Sequence, residues 1–132
     1  MDTTCTEANR IFVVEDSSAI RDRLLDMFGE IGGVEVVGTA PDSDGAVAGI
    51  LRTMADIVIL DIGLARGTGI DVLRAVHPQR PEIVFIVITN MANPQYRRIC
   101  LQAGASYFLD KSSEMHKVRE IVAGLAGSTL TR

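Results

Sequence analysis

The sequence predicts an α/β domain in which one parallel sheet lies between two layers of helix. Three observations predict it. Short apolar runs recur five times along the chain, and each is followed by a segment whose apolar residues fall at helical spacing. Within four of the five runs, apolar residues occupy consecutive rather than alternate positions; Glu35 interrupts the second. Continuous runs of that kind need burial on both faces, and helices on both sides of a parallel sheet provide it.

RIFVVE over 10–15 reads as the first strand, with Ile11 to Val14 all apolar. Ile20, Leu24, Met27, Phe28 and Ile31 then follow a helical period, and Gly32-Gly33 stops that helix. VEVVG over 34–38 is the second strand. Asp42-Ser43 opens a helix whose apolar positions are Val47, Ile50, Leu51 and Met54. DIVIL over 56–60 is the third strand, and a short helix through Ile70, Leu73 and Val76 stops before Pro78. EIVFIVI over 82–88 is the most apolar strand and belongs in the sheet interior. Asn93-Pro94 supplies a cap and a first-turn proline for a helix that runs through Tyr96, Ile99 and Cys100 to Gly104. SYFLD over 106–110 is the fifth strand, and Met115, Val118, Ile121, Val122 and Leu125 mark the last helix.

Crossovers are right-handed, so helices cover both faces only if the winding reverses once. The flavodoxin-like (βα)5 doubly wound order 2-1-3-4-5 does this, with its crevice at the carboxyl ends of strands 1 and 3. Residues 1–9 and 127–132 are expected to be flexible ends, which leaves 10–126 as the folded domain.

Composition narrows the function. A chain of 132 residues suits one domain with one core, and 47% apolar with 23% charged residues is a folded composition. No apolar run approaches the ~20 residues that span a bilayer. MDTTCTEANR places no apolar stretch behind a basic start, so it is not a secretion signal. A soluble, cytoplasmic protein with no membrane partner is expected. Cys5 and Cys100 are far apart and outside any CxxC, which suits reduced thiols. The net charge of −4 argues against direct nucleic-acid binding by this chain, since phosphate contacts need a basic face. His77 and His116 share no metal-ligand spacing with each other or with a cysteine, so both read as structural or solvated.

The strand tips carry the chemistry. Strand 1 ends in Glu15-Asp16, strand 3 in Asp61, strand 4 in Thr89 and strand 5 in Asp110-Lys111, and the order above brings them to one edge. Singly, each has a bland reading. Asp61 forms a turn, Glu15-Asp16 cap a helix, Lys111 is a solvated charge, and Thr89 is uninformative. Jointly they do not. Two like charges ~4 Å apart at an effective dielectric near 20 repel by roughly 4 kcal/mol, so either some are protonated or a cation sits among them. With only oxygen ligands on offer, Mg²⁺ is the fitting ion. Lys111 supplies compact positive charge for a developing phosphate, Thr89 a hydroxyl, and Gly63 a close backbone approach. In that company Asp61 has the setting of a nucleophile for phosphoryl transfer.

FVVEDSSAIR, DIVILDIGLARGTGIDVLRAV, IVFIVITN and AGASYFLDKS, in that order over about 10–126, resemble the receiver domain of two-component response regulators, the CheY-like superfamily. Gly69 keeps the family's glycine eight residues after the aspartate. The resemblance implies that Asp61 accepts a phosphoryl group from a histidine kinase or histidine phosphotransfer protein. It implies that Asp16, Asp61 and the Gly63 backbone carbonyl hold Mg²⁺, with Glu15 helping mainly through water. Thr89 would turn its hydroxyl to the phosphoryl group, Phe108 would swing inward behind it, and Lys111 would pair with the phosphate. A switch of this kind is a signalling protein rather than an enzyme, although it assists its own phosphorylation and dephosphorylation. Its output face would be the fourth helix (94–103), fifth strand (106–110) and fifth helix (113–126), docking a downstream protein or a second copy.

Three positions depart from the family pattern. Glu15 stands where aspartate is commoner, Ala65 where a proline often follows the acceptor, and Ser112 where a cis proline usually follows the lysine. A cis bond before a non-proline costs ~3 kcal/mol, so Lys111–Ser112 is expected to be trans. Gly63 and Met91, two residues past Asp61 and Thr89, carry no polar group toward an attacking water.

Two rivals fit less well. A flavodoxin-type flavin binder would find its phosphate repelled by Glu15-Asp16. A phosphatase of the haloacid-dehalogenase type wants a second Asp two residues after its nucleophile, where Gly63 stands. The chain begins at Met1 and shows no linker, which favours a stand-alone regulator. The alternative is the receiver part of a longer DNA-binding transcriptional regulator with a C-terminal helix-turn-helix domain.

Overall fold

Consecutive apolar residues in a strand point alternately to opposite faces, so each run in this chain feeds two cores at once. The computed structural model describes residues 9–130 and shows that division. Five parallel strands, β1 (Asn9–Val14), β2 (Val34–Ala40), β3 (Ile57–Asp61), β4 (Val84–Thr89) and β5 (Tyr107–Asp110), lie in the order β2-β1-β3-β4-β5. They alternate with α1 (Ser18–Gly29), α2 (Ser43–Thr53), α3 (Gly69–Val76), α4 (Pro94–Gln102) and α5 (Met115–Leu130). This is the doubly wound, flavodoxin-like arrangement the sequence predicts.

On one side Phe12, Val14, Val58, Leu60, Phe85 and Val87 pack with Ile50 of α2, Val72, Leu73 and Val76 of α3, and Cys100 of α4. On the other, Ile11, Val13, Ile57, Ile59, Ile86 and Ile88 pack with Leu24 and Phe28 of α1 and Val118 and Val122 of α5. β4 lies inside the sheet, as its composition requires. Among the described residues no helix is long and apolar enough to cross a membrane.

The helices are started by side chains that follow the strand tips. Ser17 caps α1 by accepting from the Ile20 N–H (3.3 Å), Asp42 caps α2 through Gly45 (2.8 Å), and Asn93 caps α4 through Tyr96 (2.8 Å). Thr68 and Asp71 form a reciprocal capping box at α3. Each such cap fixes where a loop leaves the crevice edge.

The boundaries differ from the sequence reading in a few places, for local reasons. β2 runs on to Ala40 because it keeps pairing with β1 through Val14, and a register shift between Ile11 and Phe12 leaves Val37 as an extra residue. β3 takes in Asp61, which pairs with Ile88. α1 ends at Gly29, because the N–H groups of Glu30 and Ile31 turn back three residues to Met27 and Phe28. α5 continues to Leu130, past the boundary at 126 read from the sequence. Ala126 extends the buried stripe past Leu125, and no proline interrupts the helix. Asn9 already belongs to β1, while residues 1–8 and 131–132 lie outside the described residues. No peptide bond among the described residues is cis, so Lys111–Ser112 is trans as expected.

Candidate functional site

The carboxyl ends of the strands meet in register. Val14 pairs with Leu60, Asp61 with Ile88, and Thr89 with Asp110. Pairing continues one residue past two of the strands. The Glu15 N–H donates to the Ala40 carbonyl at 3.0 Å, and the Lys111 N–H donates to the Thr89 carbonyl at 2.9 Å. Glu15 and Lys111 are thereby fixed as firmly as strand residues.

Among the described residues the buried polar or charged ones are Glu15, Asp61 and Thr89, at 0%, 5% and 1% exposure. All three stand at this edge. Burying such groups is unfavourable unless they find partners, and here they do. Lys111 Nζ donates to Asp61 Oδ2 at 2.9 Å and lies 2.9 Å from Glu15 Oε1. Glu15 Oε1 is buried against that ammonium. The other Glu15 oxygen accepts from the Ser17 N–H at 3.0 Å, and Asp61 Oδ1 accepts from the Gly63 N–H at 3.3 Å.

Burial pushes the Glu15 carboxyl above the ordinary glutamate value, and the Asp61 charge adds to the rise, against the pull of the Ser17 N–H and Lys111. For Lys111 burial works downward, but its bonds to Asp61 and Glu15 outweigh it and hold the ammonium above its ordinary value. The lysine is therefore charged at neutral pH.

One cation does not balance the cluster. Glu15, Asp16 and Asp61 bring one carboxylate oxygen each within 4.8 Å of one another, with Asp16 exposed and the other two buried. Three carboxylates against one ammonium, an all-oxygen donor set and an exposed Asp16 fit a hard divalent cation such as Mg²⁺. Glu15 takes part in the cluster directly, one methylene longer than the commoner aspartate.

The loop after β3 folds back onto the strand tip. The Gly69 N–H donates to the Ile62 carbonyl at 2.9 Å, and Gly63 bridges to Thr68. A Cβ on Gly69 would lie 2.4 Å from the Asp61 carbonyl oxygen, so only glycine lets the loop close there. On β4, the Thr89 hydroxyl accepts from the Met91 N–H at 2.9 Å, which leaves its own O–H to donate.

Phe108 pairs with Val87, one diagonal step from Thr89 on the same side of the sheet. Its ring is already largely buried, at 7% exposure. Beside it opens a cleft of about 370 Å³ lined also by Asn93, Pro94, Arg97 and Glu114. The sequence reading missed this cleft. Its only signal is that PQYRRICLQ offers the core little, and Cys100 is the one buried residue of α4. Neither histidine joins the cluster. His77 packs on Gly104 at the C-terminal turn of α4, and His116 is exposed.

The family model described as response regulator receiver domain matches residues 11–123. The chain belongs to that family. A receiver domain is a signalling module of two-component systems, and this one is 33% identical over 117 residues to protein-glutamate methylesterase/protein-glutamine glutaminase 4 of Anaeromyxobacter dehalogenans. That match covers 88% of this chain and 33% of the relative. It is 28% identical over 102 residues to the DNA-binding transcriptional activator DevR/DosR of Mycobacterium tuberculosis, covering 77% of this chain and 47% of the relative. The receiver domain thus spans between a third and a half of these two curated relatives. Among solved structures, the signal receiver domain of the response regulator NarL from Mycobacterium tuberculosis superposes with a TM-score of 0.80 at 26% identity. That superposition covers 96% of this chain and 99% of the other.

Proposed function

We propose that this receiver domain is a phosphoacceptor switch in a cytoplasmic phosphorelay, with Asp61 as the acceptor. The observation that carries the reading is the lysine held 2.9 Å from both Asp61 and Glu15 at the mouth of an acidic cluster. Such a cation is already placed to receive a phosphoryl oxygen.

An Asp61 carboxylate oxygen bonds to phosphorus as the P–N bond of the donor's phosphohistidine breaks. The imidazole leaves with the electron pair and takes up a proton. Glu15, Asp16, Asp61 and the Gly63 backbone carbonyl would hold Mg²⁺, which when bound offsets the negative charge on the phosphoryl oxygens. Lys111 exchanges its bond to Asp61 for one to a phosphoryl oxygen, and Thr89 turns its free O–H to another. Thr89 then gives up the Met91 N–H, and Phe108 repacks into the space between β4 and α4. The face of α4, β5 and α5 changes shape, which shifts the population competent to bind a downstream protein or a second copy.

The phosphodonor is a histidine kinase or histidine phosphotransfer protein. A second reading, the receiver part of a DNA-binding transcriptional regulator, is favoured by the similarity to DevR/DosR, of which this chain matches 47%.

Incubation with acetyl phosphate and Mg²⁺ tests the acceptor role. Intact mass should rise by one phosphoryl group, and the adduct should be lost in base. Wild-type protein that stays unmodified, or Asp61→Asn that is modified equally, contradicts it.

A further inference from the structure

The loop that carries Gly63 is exposed over most of its length. Between the buried Ile62 and Gly69, Leu64 alone is partly buried against the core. An exposed connection of this kind is ordinarily mobile. Here a second loop holds it. The Ala65 N–H donates to the Pro41 carbonyl at 3.1 Å, and the Ser43 N–H donates to the Arg66 carbonyl at 3.0 Å. These two bonds tie the loop after β3 to the loop between β2 and α2. Gly67 completes the fit. Its φ is +73°, and a Cβ there would stand 2.1 Å from Ser43 Oγ.

Ser43 is the first helical residue of α2, after the cap Asp42, whose backbone is extended. The N–H at that position has no partner within a helix. In this chain it is spent on Arg66, in the loop that follows Asp61.

We propose that Ser43 is a positioning residue for the divalent cation. The clamp formed by Ser43–Arg66 and Ala65–Pro41 holds the loop in the shape that presents the Gly63 carbonyl to the ion. The inference rests on the proposed function, since it takes Gly63 as a ligand. It goes beyond it by assigning part of the ion's affinity to residues of the neighbouring loop that touch neither ion nor phosphate.

Ser43→Pro tests it with little collateral change. Proline is favoured at the first helical position and tolerates the extended residue before it, so α2 keeps its start while the bond to Arg66 is lost. Ser43→Ala keeps the N–H and is the control. Each protein is measured three ways: amide exchange at Ala65 without metal, Mg²⁺ affinity by calorimetry, and Tm in EDTA.

Ser43→Pro should exchange faster at Ala65 and bind Mg²⁺ about tenfold more weakly, as loss of a ligand-orienting partner does. Its Tm in EDTA should fall by no more than about 4 °C, the shift expected of one exposed hydrogen bond. Ser43→Ala should match wild type. Gly67→Ala breaks the clamp from the other loop and should weaken Mg²⁺ binding in the same direction, which keeps the test alive if the proline variant fails to fold. Clamp variants that bind Mg²⁺ as tightly as wild type overturn the inference and leave the acceptor role of Asp61 standing. Wild-type protein that binds no Mg²⁺ overturns both.

Discussion

Lys111 and Asp61, 50 positions apart in sequence, share a 2.9 Å hydrogen bond across the end of β4. The lysine also faces Glu15 at 2.9 Å, so one buried ammonium serves two buried carboxylates. In this state the site is self-neutralised as far as one cation allows, and the group that would receive the phosphoryl oxygen occupies the group that would attack.

Removing that ammonium should expose the imbalance. Lys111→Met leaves Glu15 and Asp61 buried and uncompensated, and should lower unfolding stability in EDTA by about 3 kcal/mol. Millimolar Mg²⁺ should restore part of the loss, because the ion takes over the same charges. Urea denaturation with and without Mg²⁺ measures both effects. A variant as stable as wild type in EDTA would remove Lys111 from the electrostatics of the site.

Glu15 gives the protein a pH dependence of definite sign. Its folded-state value lies above the unfolded one, chiefly because it is buried. The stability it contributes is therefore fully present below the unfolded value of 4.5 and lost as pH rises through the folded value. Glu15→Gln removes that titration. In EDTA the stability of the variant relative to wild type should rise as pH climbs from 4.5 through the folded value, read from urea midpoints. A relative stability that falls over that interval would mean that Lys111, rather than burial, governs Glu15.

Gly69→Ala should disturb the acceptor without touching its chemistry. The new Cβ would meet the Asp61 carbonyl oxygen at 2.4 Å, and backbone cannot move aside cheaply. A loss of about 1–3 kcal/mol is expected, as for other overpacked sites. Phosphorylation by acetyl phosphate should slow, measured at a temperature where the variant is folded. An unchanged rate would show that the loop closure is not needed to hold Asp61.

Phe108→Ala should separate loading from output. Truncating a ring at 7% exposure leaves a cavity and should cost about 3 kcal/mol. The phosphorylation rate should persist, because the ring touches no reacting atom in this account. In wild type, phosphorylation should change amide exchange over Pro94–Gln102, and in the variant that change should be lost. A variant that keeps it would take Phe108 out of the switch.

The strand order was legible because four of the five apolar runs are continuous, and continuity means burial on both faces. The site was legible because polar residues that end such runs must fall at one sheet edge once the winding is known, and Glu15, Asp61, Thr89 and Lys111 all do. What the sequence hid was contact between loops. Nothing in PDS over 41–43 or ARG over 65–67 announces that they pair, because backbone hydrogen bonds leave no side-chain signature. α5 runs past Leu125, the last position marked by the apolar spacing, because no proline interrupts it.

The central claim is that Asp61 is the residue that becomes phosphorylated, in a pocket that needs the divalent ion. Borohydride reduces an aspartyl phosphate to homoserine, so peptide mapping after acetyl phosphate treatment locates the acceptor. The account predicts homoserine at position 61 alone, in the presence of Mg²⁺ and not in EDTA. Homoserine at Asp16 or elsewhere, or equal labelling in EDTA, would contradict it.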